Sequence, residues 1–296
     1  MQYLLLVLTA FFWGGAFIAG KVAVKTTPPF VVAFLRFLIA GILLLLLLRR
    51  REGWPDWRKK ENFYGLFFLG LTGVFGYNML FFEALKHTSP VNGSLIVAAN
   101  PGVTALINRF WHGERLGPRR WLGILLSFTG VTLVICRGDL ELLANLRFNF
   151  GDILLVGATL CWALYSIKGK EVMNNFTPLA ATAFACTFGA LLLLPFALWQ
   201  GGQQGWSWLG QAQPWLAIIF LAIFASVLGF VWWYQGVQAI GASRAAIFIN
   251  LVPISVMLMS ALQGEKLTWV QLLGAALVLG GVYLTSMAKV QPGRAH

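Results

Sequence analysis

Charged residues are scarce in this chain, and acidic residues are scarcer still. Only 11% of the 296 residues are charged, whereas 58% are apolar; an average soluble chain has about 25% charged residues. The 10 aspartates and glutamates all lie away from the centres of the apolar runs, and the three histidines lie between the runs or in the tail. The composition argues against a soluble globular enzyme, and the placement of the acids argues against a buried carboxylate or histidine relay for protons.

Motifs for hydrolysis, metal binding and redox chemistry are also missing. The chain has no G-x-x-x-x-G-K-[ST] loop for nucleotide phosphates, no H-E-x-x-H and no G-x-S-x-G. Its three cysteines, Cys136, Cys161 and Cys186, lack C-x-x-C spacing. We therefore expect no enzyme activity, no cofactor and no metal ion. The net charge of +12 is spread between apolar runs rather than along one face, so no nucleic-acid partner is expected.

Long apolar runs dominate what the sequence does contain. Each has about the 20 residues that a helix needs to cross the hydrocarbon core of a bilayer. Proline, glycine and charged residues fall between the runs, and the connections are too short for a soluble domain. The sequence predicts an all-α integral membrane protein with ten transmembrane helices, at residues 3–24, 30–48, 63–85, 91–111, 118–136, 151–169, 178–199, 214–236, 240–263 and 268–288.

The two halves of the chain resemble each other. Gly-Glu-Arg-Leu at 113–116 returns as Gly-Glu-Lys-Leu at 264–267, an offset of 151 residues. Two five-helix units are therefore predicted, at residues 1–137 and 151–288. Further matched pairs are Trp13 with Trp162, Gly76 with Gly229, Pro101 with Pro253, Gly123 with Gly274, and Gly130 with Gly281.

The orientation of the two units follows from their helix number and from the basic residues. Because five is odd, the second unit enters the membrane upside down relative to the first. The connection at 49–60 carries six lysines and arginines, whereas its counterpart at 200–213 carries none. Positive residues favour the cytoplasmic side, so both termini are expected there. Inverted repeats with a site near the midplane are a recurring architecture of secondary transporters.

Several short motifs recur in a fixed order along the chain. They are Trp13-Gly14 with Lys21, Pro28-Pro29 with Arg36-Phe37, Trp162-Ala163 and the two Gly-Glu turns. In these motifs the chain resembles the drug/metabolite transporter superfamily, and within it the EamA-type exporters with ten helices. The resemblance covers about residues 1–288 and implies export of amino acids or other small metabolites. It further implies a bacterial inner-membrane location and a central cavity lined mainly by helices 1, 3, 4, 6, 8 and 9.

Aromatic side chains at equivalent depths are the first candidates for substrate binding. Trp13 and Phe17 are one turn apart on helix 1, and Trp162 and Tyr165 occupy the equivalent place on helix 6. In a pseudo-symmetric bundle they could form opposing walls that offer ring faces to an apolar or cationic ligand. The alternative is that they only pack or belong to the interfacial belt.

Polar groups at mid-membrane depth are the second set of candidates. Tyr77 and Asn78 follow a stripe of small residues on helix 3, and Asn100 and Asn250 lie on helices 4 and 9. Groups at this depth need partners, so they face either a neighbouring helix or a wet cavity. We treat all four as candidate substrate-binding residues.

Prolines and turn residues are expected to have mechanical roles. Pro101 and Pro253 would kink helices 4 and 9 at matching depths and are candidate hinges, with a simple kink as the alternative. Glu114 and Glu265 are expected to staple the repeated turns by accepting backbone N–H bonds, with proton carriage as the alternative. Arg36, inside helix 2, is expected to be structural and either to snorkel or to pair with Glu83.

Together with the family resemblance, these observations predict a secondary transporter that exports small metabolites, namely amino acids or related amphipathic compounds, by alternating access. The alternatives are a broad-specificity drug efflux transporter and a membrane channel. A ring of charges would favour the channel, and no predicted span carries one. The expected partners are a small-molecule substrate and membrane lipids, with a monomer as the simplest assembly.

Overall fold

Ten helical segments and one short 3-10 turn, Ser207–Gly210, lie in the described part of this computed structural model, which covers residues 2–111, 117–139, 149–240 and 248–287. Each of the ten predicted runs corresponds to one segment, and two segments, α3 and α8, include a stretch of π-helix. The segments are α1 (Gln2–Ala23), α2 (Pro29–Arg51), α3 (Lys60–Leu69, Gly70–Gly76 and Tyr77–His87), α4 (Pro90–Ala98 and Asn100–Trp111), α5 (Pro118–Ile135), α6 (Phe150–Val172), α7 (Pro178–Gln204), α8 (Ala212–Phe220, Leu221–Leu228 and Gly229–Ile240), α9 (Leu251–Leu262) and α10 (Trp269–Met287).

The outer surface of the bundle is suited to lipid. Seven of the described helices are long and apolar enough to cross a membrane, and two shorter ones, α9 and α10, are also apolar. Large apolar side chains such as Leu46, Leu125, Leu191 and Leu216 are exposed, which a soluble monomer would avoid on this scale. The protein is an all-α, multi-pass membrane protein.

Helix starts follow from proline and hydroxyl residues in the sequence. The fixed φ of proline suits the first helical position, where its missing N–H costs no hydrogen bond. Ser89 and Thr177 cap α4 and α7, accepting hydrogen bonds from Asn92 N and Ala180 N. Prolines occupy the first position of four helices, at Pro29, Pro90, Pro118 and Pro178.

Helices α2 and α7, which occupy equivalent places in the two halves, lie side by side and run antiparallel. At one end, Phe30 N donates to Gln200 Oε1 at 2.8 Å. At the other end, Thr177 Oγ1 donates to Glu52 Oε2 at 2.5 Å. The start of each helix therefore meets the end of the other, and the connections that follow them lie at opposite ends of the pair.

Helices α5 and α10 form a second antiparallel pair, held close by glycines. A Cβ on Gly130 would lie 2.9 Å from Gly274 O, and one on Gly281 would meet Gly123 O. Since Gly123 matches Gly274 and Gly130 matches Gly281 in the repeat, each contact is the counterpart of the other. Reciprocal contacts of this kind are those expected across a two-fold axis. Ser127 Oγ donates to Val278 O, its own repeat partner, at 3.3 Å.

The central helices are interrupted in matching places. The π-segment of α3 ends at Gly76, and that of α8 ends at Leu228, one residue before Gly229, the repeat partner of Gly76. Helix α4 breaks at Ala99, two residues before Pro101, and α9 begins after a turn at Asn250, three residues before Pro253. The sequence predicted the breaks near the prolines but not the π-segments.

The repeated turns were expected to be stapled by their glutamates. Glu114 lies outside the described residues. After α9, Gly264 takes a φ of +85° and Glu265 N donates to Ser260 O at 3.0 Å, a glycine-dependent helix end in which Glu265 contributes its backbone. The start of α10 is capped instead by Thr268 and Gln271, each accepting the other's backbone N–H. The contact described for Glu265 is thus made by its backbone, and the role expected for its carboxylate stays a prediction.

Candidate functional site

A cavity of about 70 Å³ lies at the junction of the two halves. All six helices that the family resemblance implied, α1, α3, α4, α6, α8 and α9, contribute to its wall, and α2 adds Arg36. The lining residues are Trp13, Ala16, Phe17, Arg36, Tyr77, Asn78, Phe81, Ser94, Val97, Ala98, Asn100, Trp162, Phe230, Ile249 and Val252. Six of the eight predicted substrate-binding residues are among them.

Trp13 and Trp162 meet at the centre of this wall. Their ring centroids are 5.8 Å apart and the rings are nearly perpendicular, at 82°, the edge-to-face arrangement that aromatic quadrupoles favour. Trp13 Nε1 donates to Ala225 O at 3.0 Å. A π-segment leaves carbonyls without their usual helical partner, so Trp13 both lines the cavity and satisfies the interrupted part of α8.

Tyr77 and Phe17 extend the aromatic wall towards α3. The Tyr77 ring stacks on Phe81 at 5.5 Å and lies 5.3 Å from Trp162. Phe17 packs edge-on against Phe81 at 4.9 Å. The arrangement gives a cage of ring faces and edges that can hold an apolar side chain or an ammonium group.

Two of the predicted binding residues lie behind the wall rather than in it. Tyr165 is only 2% exposed, with its ring 5.2 Å from Trp162 and pressed against Gly73 of α3. Asn250 lies between two residues of the wall, Ile249 and Val252, and its buried Oδ1 has no hydrogen-bond partner in the described part of the chain. Tyr165 therefore packs against Trp162, and Asn250 lies at the turn that precedes α9.

The two other predicted amides use their hydrogen bonds within the protein. Asn78 Nδ2 donates to Val74 O at 2.8 Å and to Gly73 O at 3.3 Å, so it caps carbonyls of the α3 π-segment. Asn100 Nδ2 donates to Thr159 O at 3.0 Å and thereby ties α4 to α6. Both line the cavity, but their main effect is to fix the helices around it.

Arg36 is placed differently from the sequence-based expectation. It is only 5% exposed, it does not snorkel, and Glu83 interacts instead with Lys86 and His87, at 3.6 and 3.5 Å. Arg36 Nε donates to Ser226 Oγ at 2.7 Å and Nη1 donates to Asn78 Oδ1 at 3.1 Å. The guanidinium therefore bridges the two interrupted helices from inside the bundle, and the predicted pairing with Glu83 was wrong.

Phe230 and Ser226 are site residues that the sequence reasoning missed. Phe230 lies 5.9 Å from Trp13 and 5.7 Å from Trp162. The repeat carried a signal for it, because the offset of 153 that relates Gly76 to Gly229 also relates Tyr77 to Phe230. Ser226 had no such signal, since nothing in its own segment indicates a bond to a residue 190 positions away.

A larger groove of about 860 Å³ lies between α4, α5 and α6. Its lining is apolar, including Val103, Leu106 and Phe128, apart from Thr159. It holds none of the predicted site residues and lacks the convergent polar groups that mark a specific binding site. The small central cavity is therefore the better candidate site.

Comparison with known proteins agrees with this architecture. The EamA-like transporter family model matches residues 1–136 and again 149–287. The uncharacterized transporter YyaM of Bacillus subtilis (strain 168) is 37% identical over 284 residues, 96% of this chain and 93% of that protein. A probable amino-acid metabolite efflux pump of Salmonella typhimurium (strain LT2) is 29% identical over 281 residues, 92% of this chain and 90% of that protein.

A solved crystal structure has the same fold, with a TM-score of 0.69 at 22% identity and 96% of each chain covered. The two matched segments account for nearly all of the sequence and correspond to a family of transporters, not of enzymes. This chain is a multi-pass membrane protein that belongs to the EamA-like transporter family.

Proposed function

We propose that the protein is a secondary transporter that exports amino acids or related small amphipathic metabolites. The observation that carries the proposal is the cavity at the junction of the halves, where the repeat-related Trp13 and Trp162 meet. Its wall combines aromatic faces with a few polar groups, which suits a small ligand with one apolar and one polar end. The efflux pump of Salmonella typhimurium supports the choice of amino acids.

The transport cycle we propose is alternating access. The cavity is small, at about 70 Å³, so it would have to widen during the cycle to take up a metabolite. Two units, at residues 1–137 and 151–288, would rock about the glycine contact of α5 with α10. The breaks of α4 and α9 beside Pro101 and Pro253 would act as hinges that open one side and then the other.

The membrane orientation we propose follows the basic residues. Both termini and the connection at 49–60 would face the cytoplasm of a bacterial inner membrane. The simplest assembly we propose is a monomer, in which the two halves of one chain form the cavity between them.

Transport by the purified protein in liposomes tests the function. Vesicles loaded with radiolabelled amino acids should release them with saturable kinetics, and Trp162→Ala and Trp13→Ala should each slow release about tenfold or more, as expected for loss of a buried aromatic contact. Trp199→Ala is the matched control, because Trp199 is 61% exposed on the outside of α7 and its removal should leave transport unchanged. Unaltered transport in both cavity variants would remove the aromatic cavity from the mechanism.

Broad efflux of apolar compounds is the second candidate function, and the apolar groove between α4, α5 and α6 favours it. Lipophilic dyes in the same vesicles distinguish the two. Release of many unrelated dyes, together with no saturable release of any amino acid, would favour the broad efflux pump. Single-channel currents recorded across a membrane that contains the protein would instead indicate a channel and would contradict a carrier.

A further inference from the structure

Arg36 is a buried cation, only 5% exposed. In the described part of the chain its hydrogen-bond partners are the neutral groups Asn78 Oδ1 and Ser226 Oγ, and no carboxylate forms an ion pair with it. An arginine inside a membrane bundle is costly unless it is neutralised. Arg36 also lines the central cavity, so an anionic ligand bound in the cavity can supply the negative charge that neutralises it.

The guanidinium has donors left for a ligand. Arginine carries five N–H groups in a rigid plane, and the two protein acceptors occupy Nε and Nη1 only. Its remaining N–H groups suit the two oxygens of a carboxylate. Because Asn78 and Ser226 hold the plane from α3 and α8, and the Phe37 ring lies 4.7 Å from its central carbon, the group is preorganised rather than free to swing.

The repeat places no arginine at the equivalent position of the other half. The offset of 149 that relates Pro29 to Pro178, each in the first turn of its helix, relates Arg36 to Ala185. Ala185 packs its backbone closely against Gly70 on α3, so α7 packs well with a methyl group at the equivalent place. A charge present in only one of two similar halves is better explained by an asymmetric ligand than by packing.

We propose that Arg36 binds the carboxylate of the transported molecule and makes the transporter selective for carboxylate-bearing substrates. The proposal rests on the proposed function and extends it to the substrate class. The carboxylate would lie against the Arg36 guanidinium, and the rest of the molecule would lie against Trp13, Trp162 and Tyr77. Free inorganic anions share the charge but not the apolar part, so they should bind more weakly than organic carboxylates.

Paired ligands that differ only in charge test this directly. Acetate, propionate and 3-phenylpropionate are titrated against the purified full-length protein, each beside its neutral amide, with tryptophan fluorescence and thermal stability as readouts. At least one acid should bind about tenfold or more tightly than its amide, as expected for a hydrogen-bonded charge pair. Equal affinity for every acid and its amide, or no binding of any acid, would overturn the proposal.

Variants of Arg36 then assign the selectivity to this residue. Arg36→Gln should abolish the preference for acids, whereas Arg36→Lys should keep part of it, because it keeps the charge but not the planar fork. Retention of the full preference in Arg36→Gln would contradict the assignment. Arg50→Gln removes an exposed arginine from the same helix and is the matched control, which should keep the full preference for acids. If Arg36→Gln does not fold, the Lys variant and the wild-type comparison of each acid with its amide decide the question.

The same data separate this proposal from the exporter itself. Acid selectivity that depends on Arg36, without transport of any amino acid, would support the carboxylate site and contradict the export function. Transport of amino acids and their amides at equal rates would support the export function and contradict the carboxylate site.

Discussion

Asn78 has every hydrogen bond of its amide committed inside the bundle. Its Nδ2 satisfies Val74 O and Gly73 O, and its Oδ1 accepts from Arg36. Asn78→Ala would leave both the guanidinium and the π-segment carbonyls short of a partner. We expect it to destabilise the protein by about 2 kcal/mol, because a buried polar group without a hydrogen bond carries the full cost of its desolvation. Thermal unfolding in detergent measures this.

The matched control is Asn62→Ala. Asn62 makes one exposed hydrogen bond, from Nδ2 to Asp56 O at 2.7 Å, and its loss should cost no more than about 0.5 kcal/mol. Similar melting temperatures for the two variants would show that the Asn78 network does not hold the bundle together.

At the residue scale, the sequence predicts those site residues that a local pattern or the internal repeat marks. Trp13 and Trp162 were predicted because they match in the repeat, and the structure brings them together. The partners of Arg36 were not predictable, because Ser226 lies in the other half of the chain and a serine in an apolar helix has many possible bonds. Tyr165 was placed too near the cavity because helical spacing does not say how far a side chain lies behind the wall.

At the scale of the helix pair, Gly130 marks the closest approach of α5 to α10. A methyl group there would lie 2.9 Å from Gly274 O, Leu277 Cβ and Val278 Cγ2, and two of these atoms belong to backbone or to the base of a side chain. We expect Gly130→Ala to destabilise the protein by about 1–3 kcal/mol, because the helices must separate to admit it. Thermal unfolding in detergent again measures the loss.

Gly202→Ala provides the comparison within a helix. A Cβ on Gly202 meets nothing within 4 Å, so this change should leave stability unchanged or raise it by up to about 1 kcal/mol through helix propensity. A loss as large as that of Gly130→Ala would mean that helix geometry, not the α5–α10 contact, decides the effect.

Also at this scale, the ten helices were predictable from hydropathy, but their interruptions were only partly so. Proline marks the breaks in α4 and α9 because it removes a backbone donor, which is visible in the sequence. The π-segments at 70–76 and 221–228 follow no residue rule of that kind, since a widened turn is stabilised by contacts from other helices, such as Trp13 Nε1 on Ala225 O. Only the match of Gly76 with Gly229 indicated that these places were alike.

The whole molecule combines a symmetric scaffold with an asymmetric distribution of charge. Helices α2 and α7 are antiparallel, so the connections after them, near residues 56 and 203, lie at opposite ends of the bundle. Only the first connection is rich in lysine and arginine. Since positive residues tend to be retained in the cytoplasm, the charge asymmetry favours the orientation proposed above over the reverse one that the antiparallel fold also allows.

Cysteine labelling in intact cells tests this orientation. With Cys136, Cys161 and Cys186 replaced, Gln203→Cys should react with a membrane-impermeant maleimide added outside, and Asp56→Cys should react only after the membrane is opened. Both positions are exposed in the structure, so failure to react reports the membrane and not burial. Labelling of Asp56→Cys alone from outside would reverse the orientation and leave the fold intact. Labelling of both from the same side would be incompatible with an antiparallel α2 and α7, and the two halves could then not exchange roles in a transport cycle.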